Sequence, residues 1–332
     1  TNPTSSIICN AIGMVAAGNA VVFNAHPGAR ACSNHAVQLI HEAIVEAGGP
    51  ANLVCVVAEP TIESAQQIMH HPDVNWLAVT GGEGVVHAAM QSGKRAVCAG
   101  PGNPPVVVDE TADLEQAGRD IVRGAAFDNN IICVDEKEIF AVAAIADDLK
   151  RAMCNHGAYE INSWQLSRLM KSIFTQVPPA GQHGTVNKDF IGKNASVLLK
   201  GIGIDVGDEI RLVLAEVERD HPLVLTEQMM PIIPLVRVRD AGEGIDLAKV
   251  AEHGFRHTAV MHSKNLDHLS RMARQMDCSI FVKNGPSFAG IGYGGEGFCS
   301  FTIASPTGEG ITNPISFSRI RRCVLKDSFR IV

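Results

Sequence analysis

The feature that most constrains this chain is the alternation of short apolar runs with longer amphipathic stretches through its first hundred or so residues. "AVVF", "LVCVVA", "WLAVT" and "AVCA" are continuous apolar runs rather than alternating ones, which marks strands buried on both faces. Between them lie "ARACSNHAVQLIHEAIVEAGG" and the stretch from Thr61 to His70, both with helical spacing. "TSSIICNAIGMVAAGN" opens on a Thr/Ser cap, keeps helical spacing, and stops at Gly18-Asn19, a suitable C-cap. Strands separated by helices cannot be joined as hairpins. They require βαβ crossovers and a parallel sheet covered on both faces. The series is half of a dinucleotide-binding architecture.

A second α/β unit begins near residue 112, with the helix "DLEQAGRDIVRGAAF", then Cys133, the strand "EIFAVAA" and the helix "ADDLKRAMCNHG". "QVPPAGQHGTVNKDFIGKNA" is Pro/Gly-rich and polar, an exposed loop or lid. Two strand–helix pairs follow ("PLVRV" with "DLAKVAEHGF", "HTAVMHS" with "LDHLSRMARQM"), then the strand "SIFVK" and glycine-rich turns. A length of 332 residues favours two domains. The net charge of −7 argues against a nucleic-acid or anionic-membrane partner, which would need a basic face. No apolar run reaches the roughly 18 residues of a membrane span. Nine cysteines without CxxC spacing indicate free thiols in a reducing compartment. The thirteen histidines form no HExxH or Cys/His cluster, so no metal site is expected. Arg319, Arg321, Arg322, Lys326 and Arg330 read as the solvated side of an edge strand.

Candidate chemistry centres on "FDNNIICVDEKEIF". Cys133 is either a small hydrophobe in a core or a nucleophile, which would need access, a lowered pKa and oxyanion donors. Asn129, Asn130 and the Cys133 backbone N–H are nearby donors, while the acids that follow oppose a thiolate. Thr80-Gly81-Gly82 ends a strand and precedes a helix, which suits either a phosphate-cradling turn or a plain strand–helix turn. Asn2 precedes a helix start, as a turn residue or an oxyanion donor. His26 follows a strand end, either to bond a ribose or to cap a loop. Glu227 precedes an apolar strand, as an exposed loop acid or at a cleft rim.

Seven blocks, in order and at compatible spacing, resemble the aldehyde dehydrogenase superfamily across essentially the whole chain. They are "TNPTSSIICNAIGMVAAGNAVVF", "HHPDVNWLAVTGGEGVV", "GPGNPPVVVDETADL", "DNNIICVDEKE", "LTEQMMPIIPLV", "RHTAVMHSKN" and "SPTGEGIT". Within it they look most like the CoA-acylating acetaldehyde/propionaldehyde dehydrogenases of ethanolamine and propanediol utilisation. The resemblance implies Cys133 as nucleophile and Asn2 as oxyanion-hole amide. It implies Thr80, Gly81 and Gly82 against the cofactor, Asn24 with His26 at the adenosine ribose, and Glu227 at the nicotinamide ribose. It further implies NAD and coenzyme A, a short aliphatic aldehyde, a homo-oligomer (dimer or tetramer), and a cytoplasmic setting with a bacterial microcompartment as the alternative.

Departures from the family pattern carry information. Hydrolytic members place a water-activating glutamate where this chain has Ala99, so a thioester would persist until a thiol arrives. A lysine is replaced by Asn24, and an aromatic by Met229. Glu136 and Glu138 are expected to point away from the thiol into salt bridges. The expected fold is α/β, aldehyde-dehydrogenase-like. Its parts are an incomplete Rossmann-type cofactor domain (1–103) lacking an N-terminal portion, an α/β catalytic domain (104–312) and a C-terminal oligomerisation arm (313–332). Competing readings are a hydrolytic or semialdehyde-specific dehydrogenase, an inactive cofactor-binding scaffold, and a Cys–His thiol hydrolase.

Overall fold

A computed structural model describes residues 2–326. They divide into two compact units, one of residues 3–68 with 312–326, the other of Asn2 with residues 69–311.

The smaller unit runs α1 (Ser5–Ala16), β1 (Val21–Phe23), α2 (Arg30–Glu46), β2 (Val54–Val56) and most of α3 (Ile62–His70). β1 and β2 pair in parallel, with Val21 opposite Val54, so α2 is a crossover helix. Ile7 and Ala11 of α1, Ala36 and Val37 of α2, and Val54 form its core. Thr4 does not cap α1, because its own backbone is already helical and its side chain makes no capping bond. The helix closes as expected, with Gly18 left-handed at φ 82°. The Asn19 amide donates to Phe317 O at 2.9 Å, which ties the C-terminal segment to α1. Beyond the 3₁₀ turn Pro314–Phe317, residues 319–326 form no strand and stay exposed. Arg330 and the other residues after Lys326 lie outside the described part of the expected arm.

The larger unit begins with β3 (Trp76–Thr80), α4 (Glu83–Met90) and β4 (Arg95–Ala99). β3 and β4 pair in parallel from Trp76–Arg95 to Thr80–Ala99. Its main body runs β5 (Pro105–Val108), α5 (Leu114–Ala125), β6 (Glu138–Val142), α6 (Ala146–Asn155), β7 (Ala158–Ile161), α7 (Ser163–Ile173) and α8 (Ala195–Lys200). It continues with β8 (Leu212–Glu216), β9 (Ile232–Val238), α9 (Ala241–Ala251), β10 (Thr258–His262), α10 (Leu266–Met276) and β11 (Ile280–Lys283). A small antiparallel pair, β12 (Ile303–Ala304) and β13 (Gly310–Ile311), completes it.

Seven strands form one parallel sheet in the order β11-β10-β5-β6-β9-β8-β7. Side chains alternate between its faces, as strand geometry requires. Ile139 and Ala141 of β6 pack with α5 and α6, whereas Phe140 and Val142 face α9 and α10. Helices on both faces explain why these strands are apolar throughout. Four adjacent strands, β10, β5, β6 and β9, start beside one another along one edge of the sheet. The segments entering them are Arg256–His257, Gly102–Pro104, Cys133–Lys137 and Glu227–Pro231, so the sheet order gathers these residues.

Candidate active site

Cys133 sits between α5 and β6, in a loop whose first turn holds Asp128, Asn129 and Asn130 at φ 44°, 53° and 64°. Asp and Asn tolerate this left-handed region better than other non-glycine residues. The two asparagine side chains are already engaged. Asn129 donates to Gly192 O at 3.0 Å and to Asn194 Oδ1 at 2.9 Å. Asn130 donates to Ala125 O at 2.8 Å and to Glu136 O at 2.9 Å. Both amides are therefore committed to the loop and are not the free oxyanion donors expected from their position.

The acidic run after Cys133 is also unlike its expectation. Asp135, Glu136, Lys137 and Glu138 are all fully buried, and neither glutamate forms a salt bridge among the described residues. Glu136 accepts from Ser287 N at 2.8 Å and from Ser287 Oγ at 2.6 Å, anchoring the glycine-rich segment after β11. Both Glu138 oxygens lack partners. Burial pushes the Glu136 carboxyl up to about 7, and those of Asp135 and Glu138 well above the usual range. Desolvation by burial is the leading cause for each of the three. Asp135 accepts from Ile132 N at 3.0 Å and closes the nucleophile loop.

Burial pushes the Cys133 thiol up to about 12, with the negative charges of Glu227 and Asp135 adding to the rise. Lys137 and the local backbone pull the other way. Glu227 is thus close enough to the sulfur for its charge to matter. It is partly buried, its carboxyl is raised by desolvation, and it accepts from the Gly102 N–H. Gly102 allows no larger residue, since a Cβ there would lie 2.6 Å from Cys133 O and 3.1 Å from the His257 ring.

Gly102, His257 and Lys137 are the residues that sequence reasoning did not single out. His257 is fully buried, and its Nδ1 lies 2.8 Å from Thr258 Oγ1 while Nε2 has no partner. Burial holds its pKa down to about 4, so the ring is a neutral proton acceptor at ordinary pH. Its only sequence signal was a histidine immediately before an apolar strand.

Asn2 is buried and belongs to the same unit as Cys133. Thr80, Gly81 and Gly82 form the β3–α4 turn, in which Gly81 N donates to Ala99 O at 3.0 Å. A Cβ at Gly81 would lie 2.6 Å from a Val85 methyl, and Gly82 has open space around it. No side chain caps α4, so its first N–H groups suit a phosphate. Asn24 and His26 lie in the smaller unit. Asn24 Oδ1 accepts from Ser64 Oγ at 2.6 Å, and His26 Nδ1 accepts from Gly28 N at 3.1 Å, capping a short turn.

Known proteins are similar along the whole chain. The aldehyde dehydrogenase family profile matches residues 2–298. The acetylating acetaldehyde dehydrogenase EutE of Salmonella typhimurium is 49% identical over 100% of this chain and 71% of its own length. The CoA-propanoylating propanal dehydrogenase of Citrobacter freundii is 47% identical over 100% of this chain and 70% of its own. The propionaldehyde dehydrogenase of Rhodopseudomonas palustris, solved with propionyl-CoA bound, superposes with a TM-score of 0.94 at 51% identity, covering 98% of this chain and 71% of that one. The same enzyme was solved with CoA and an acylated cysteine, again at a TM-score of 0.94. The chain belongs to the aldehyde dehydrogenase family.

Proposed function

We propose that this chain is an NAD-dependent, CoA-acylating aldehyde dehydrogenase that oxidises a short aliphatic aldehyde and passes the acyl group to coenzyme A. Its similarity to acetylating and propanoylating enzymes supports the activity, and the likeness to a structure holding CoA and an acylated cysteine supports both the acceptor and the covalent route. The observation that carries the reading within this chain is Ala99. It ends β4 fully buried, with its carbonyl bound by Gly81, at the position where hydrolytic relatives would have a water-activating carboxylate.

In this reading the Cys133 sulfur bonds to the aldehyde carbon, and the resulting oxyanion is held by the Asn2 amide and the Cys133 backbone N–H. NAD⁺, when bound, supplies the acceptor for the hydride expelled as the adduct collapses. Cys133 then carries the acyl group as a thioester. With no carboxylate at Ala99, that thioester outlasts water and is transferred to the incoming thiol. His257 accepts the thiol proton, because its neutral ring borders Gly102 and its buried Nε2 has no hydrogen-bond partner. The β3–α4 turn receives the cofactor phosphates, and Glu227 its nicotinamide ribose.

Apart from Asn2 and Glu227, residues 1–103 serve the cofactor, 104–312 the chemistry, and 313–332 assembly into a homo-oligomer. The enzyme works in the cytoplasm, or inside a bacterial microcompartment as its likeness to a fucose-utilisation enzyme of Clostridium phytofermentans suggests. Among the described residues no helix is long and apolar enough to cross a membrane.

A hydrolytic reading has one observation in its favour, the raised Glu227 carboxyl near the sulfur, a potential base for water. NADH formation with and without CoA separates the two. Sustained turnover only with CoA is expected; equal turnover without it makes the enzyme hydrolytic.

A further inference from the structure

Lys137 has no part in the chemistry above, yet it stands directly under the nucleophile. It is the fully buried lysine among the described residues. Its Nζ donates to Asn130 O at 2.8 Å and to Asn130 Oδ1 at 2.7 Å, and reaches Ile132 O at 3.5 Å. Three acceptors match the three N–H groups of an ammonium, whereas a neutral amine has two. All three oxygens belong to the loop that carries Cys133, from one to three residues ahead of it. Burying an ammonium on carbonyl oxygens alone is costly. A purely space-filling role would be met by Met or Leu without that cost.

We propose that Lys137 is a positioning residue for Cys133, whose buried ammonium holds the left-handed Asp128–Asn130 turn and supplies the positive charge that favours a thiolate. The inference rests on the reading of Cys133 as nucleophile. The geometry couples both roles. Asn130 binds Lys137 through its two oxygens and donates its amide to Ala125 O and Glu136 O, so the ammonium fixes the turn from both sides. Glu227 and Asp135 oppose a thiolate at Cys133, and Lys137 is the cation set against them. The backbone conformation and the charge balance at the sulfur therefore depend on one side chain.

The test compares wild type with Lys137→Met and Lys137→Arg. Iodoacetamide alkylation of Cys133 is followed by peptide mass spectrometry from about pH 6 to about pH 10, with circular dichroism to establish folding. Folded Lys137→Met should alkylate at least about tenfold more slowly at each pH below full ionisation, one unit of thiol pKa being one decade. Its kcat should fall with little change in aldehyde KM, and Lys137→Arg should recover much of both. A folded Lys137→Met with the wild-type alkylation profile overturns the proposal. If neither variant folds, NMR of ¹⁵N-lysine-labelled wild type decides. Slow solvent exchange of the Lys137 side-chain N–H protons, held on the Asn130 oxygens, is expected, and exchange as fast as that of exposed lysines overturns the proposal. Cys133→Ala tests the parent reading separately: acyl transfer retained in that variant refutes the nucleophile itself. Loss of transfer there, with unchanged alkylation in Lys137→Met, refutes only the role of Lys137.

Discussion

Glu227 and Lys137 act on the Cys133 sulfur with opposite signs, and each can be removed separately. Glu227 raises the thiol pKa. Glu227→Gln should therefore quicken alkylation of Cys133 by several-fold near pH 8, at least about threefold, while raising the KM for NAD⁺. Slower alkylation in that variant would place the carboxylate elsewhere. His257→Ala should leave a first turnover of NADH in rapid-mixing kinetics and slow CoA-dependent turnover by about a hundredfold, the usual size of a lost proton acceptor. An unchanged steady state would remove His257 from the transfer step. The sequence drew attention to Cys133 through its setting, and the sheet places Glu227 near it. Asn129 and Asn130 look like free donors because nothing local says that the first amide will bind Gly192 and Asn194 and the second Ala125 and Glu136. Lys137 and His257 were overlooked because a buried lysine and a neutral histidine look like surface residues when read as letters.

The loop from α5 to β6 shows why the acidic run resisted reading. Charge in sequence usually means solvent, but here the run folds beneath the nucleophile, where Asp135 and Glu136 find backbone and hydroxyl donors and Glu138 finds none. Glu136 is held against α5, where a Cβ at Gly124 would lie 2.2 Å from its carboxylate oxygens. Gly124→Ala should displace Glu136 from Ser287 and cost about 1–3 kcal/mol of stability, as overpacking typically does. An unchanged denaturant midpoint would contradict that packing. Because folding raises the Glu136 carboxyl from 4.5 to about 7, its contribution to stability is fully present below pH 4.5. That contribution is lost as pH rises through about 7, and amounts to about 3 kcal/mol. Glu136→Gln should flatten this fall in an unfolding series across that range; an equally steep fall would assign the dependence to another group. Regular elements were far more legible. β1 to β6 and their helices follow from apolar runs and helical periods, because each buries a face or a stripe. Residues 158–175 and 196–216 carried no assignment, although α7 begins with a full capping box of Asn162 and Gln165. Short elements joined by long irregular loops leave too little period to read.

The order of the seven strands decides the function and was not legible locally. β10 lies beside β5 although over a hundred residues separate them, and only that pairing sets His257 next to Gly102 and Cys133. The family was legible because seven blocks recur in order. If NADH leaves before CoA enters, the two ligands share one cleft. Calorimetry should then show NAD⁺ and CoA competing; independent, simultaneous binding would contradict a shared cleft. The covalent route itself is tested most directly by intact-protein mass spectrometry after mixing enzyme, propanal and NAD⁺ without CoA. The account predicts a single propanoyl adduct, mapped to Cys133 and discharged on adding CoA. A protein that makes NADH with Cys133 never acylated, or whose adduct water removes as fast as CoA does, would contradict it.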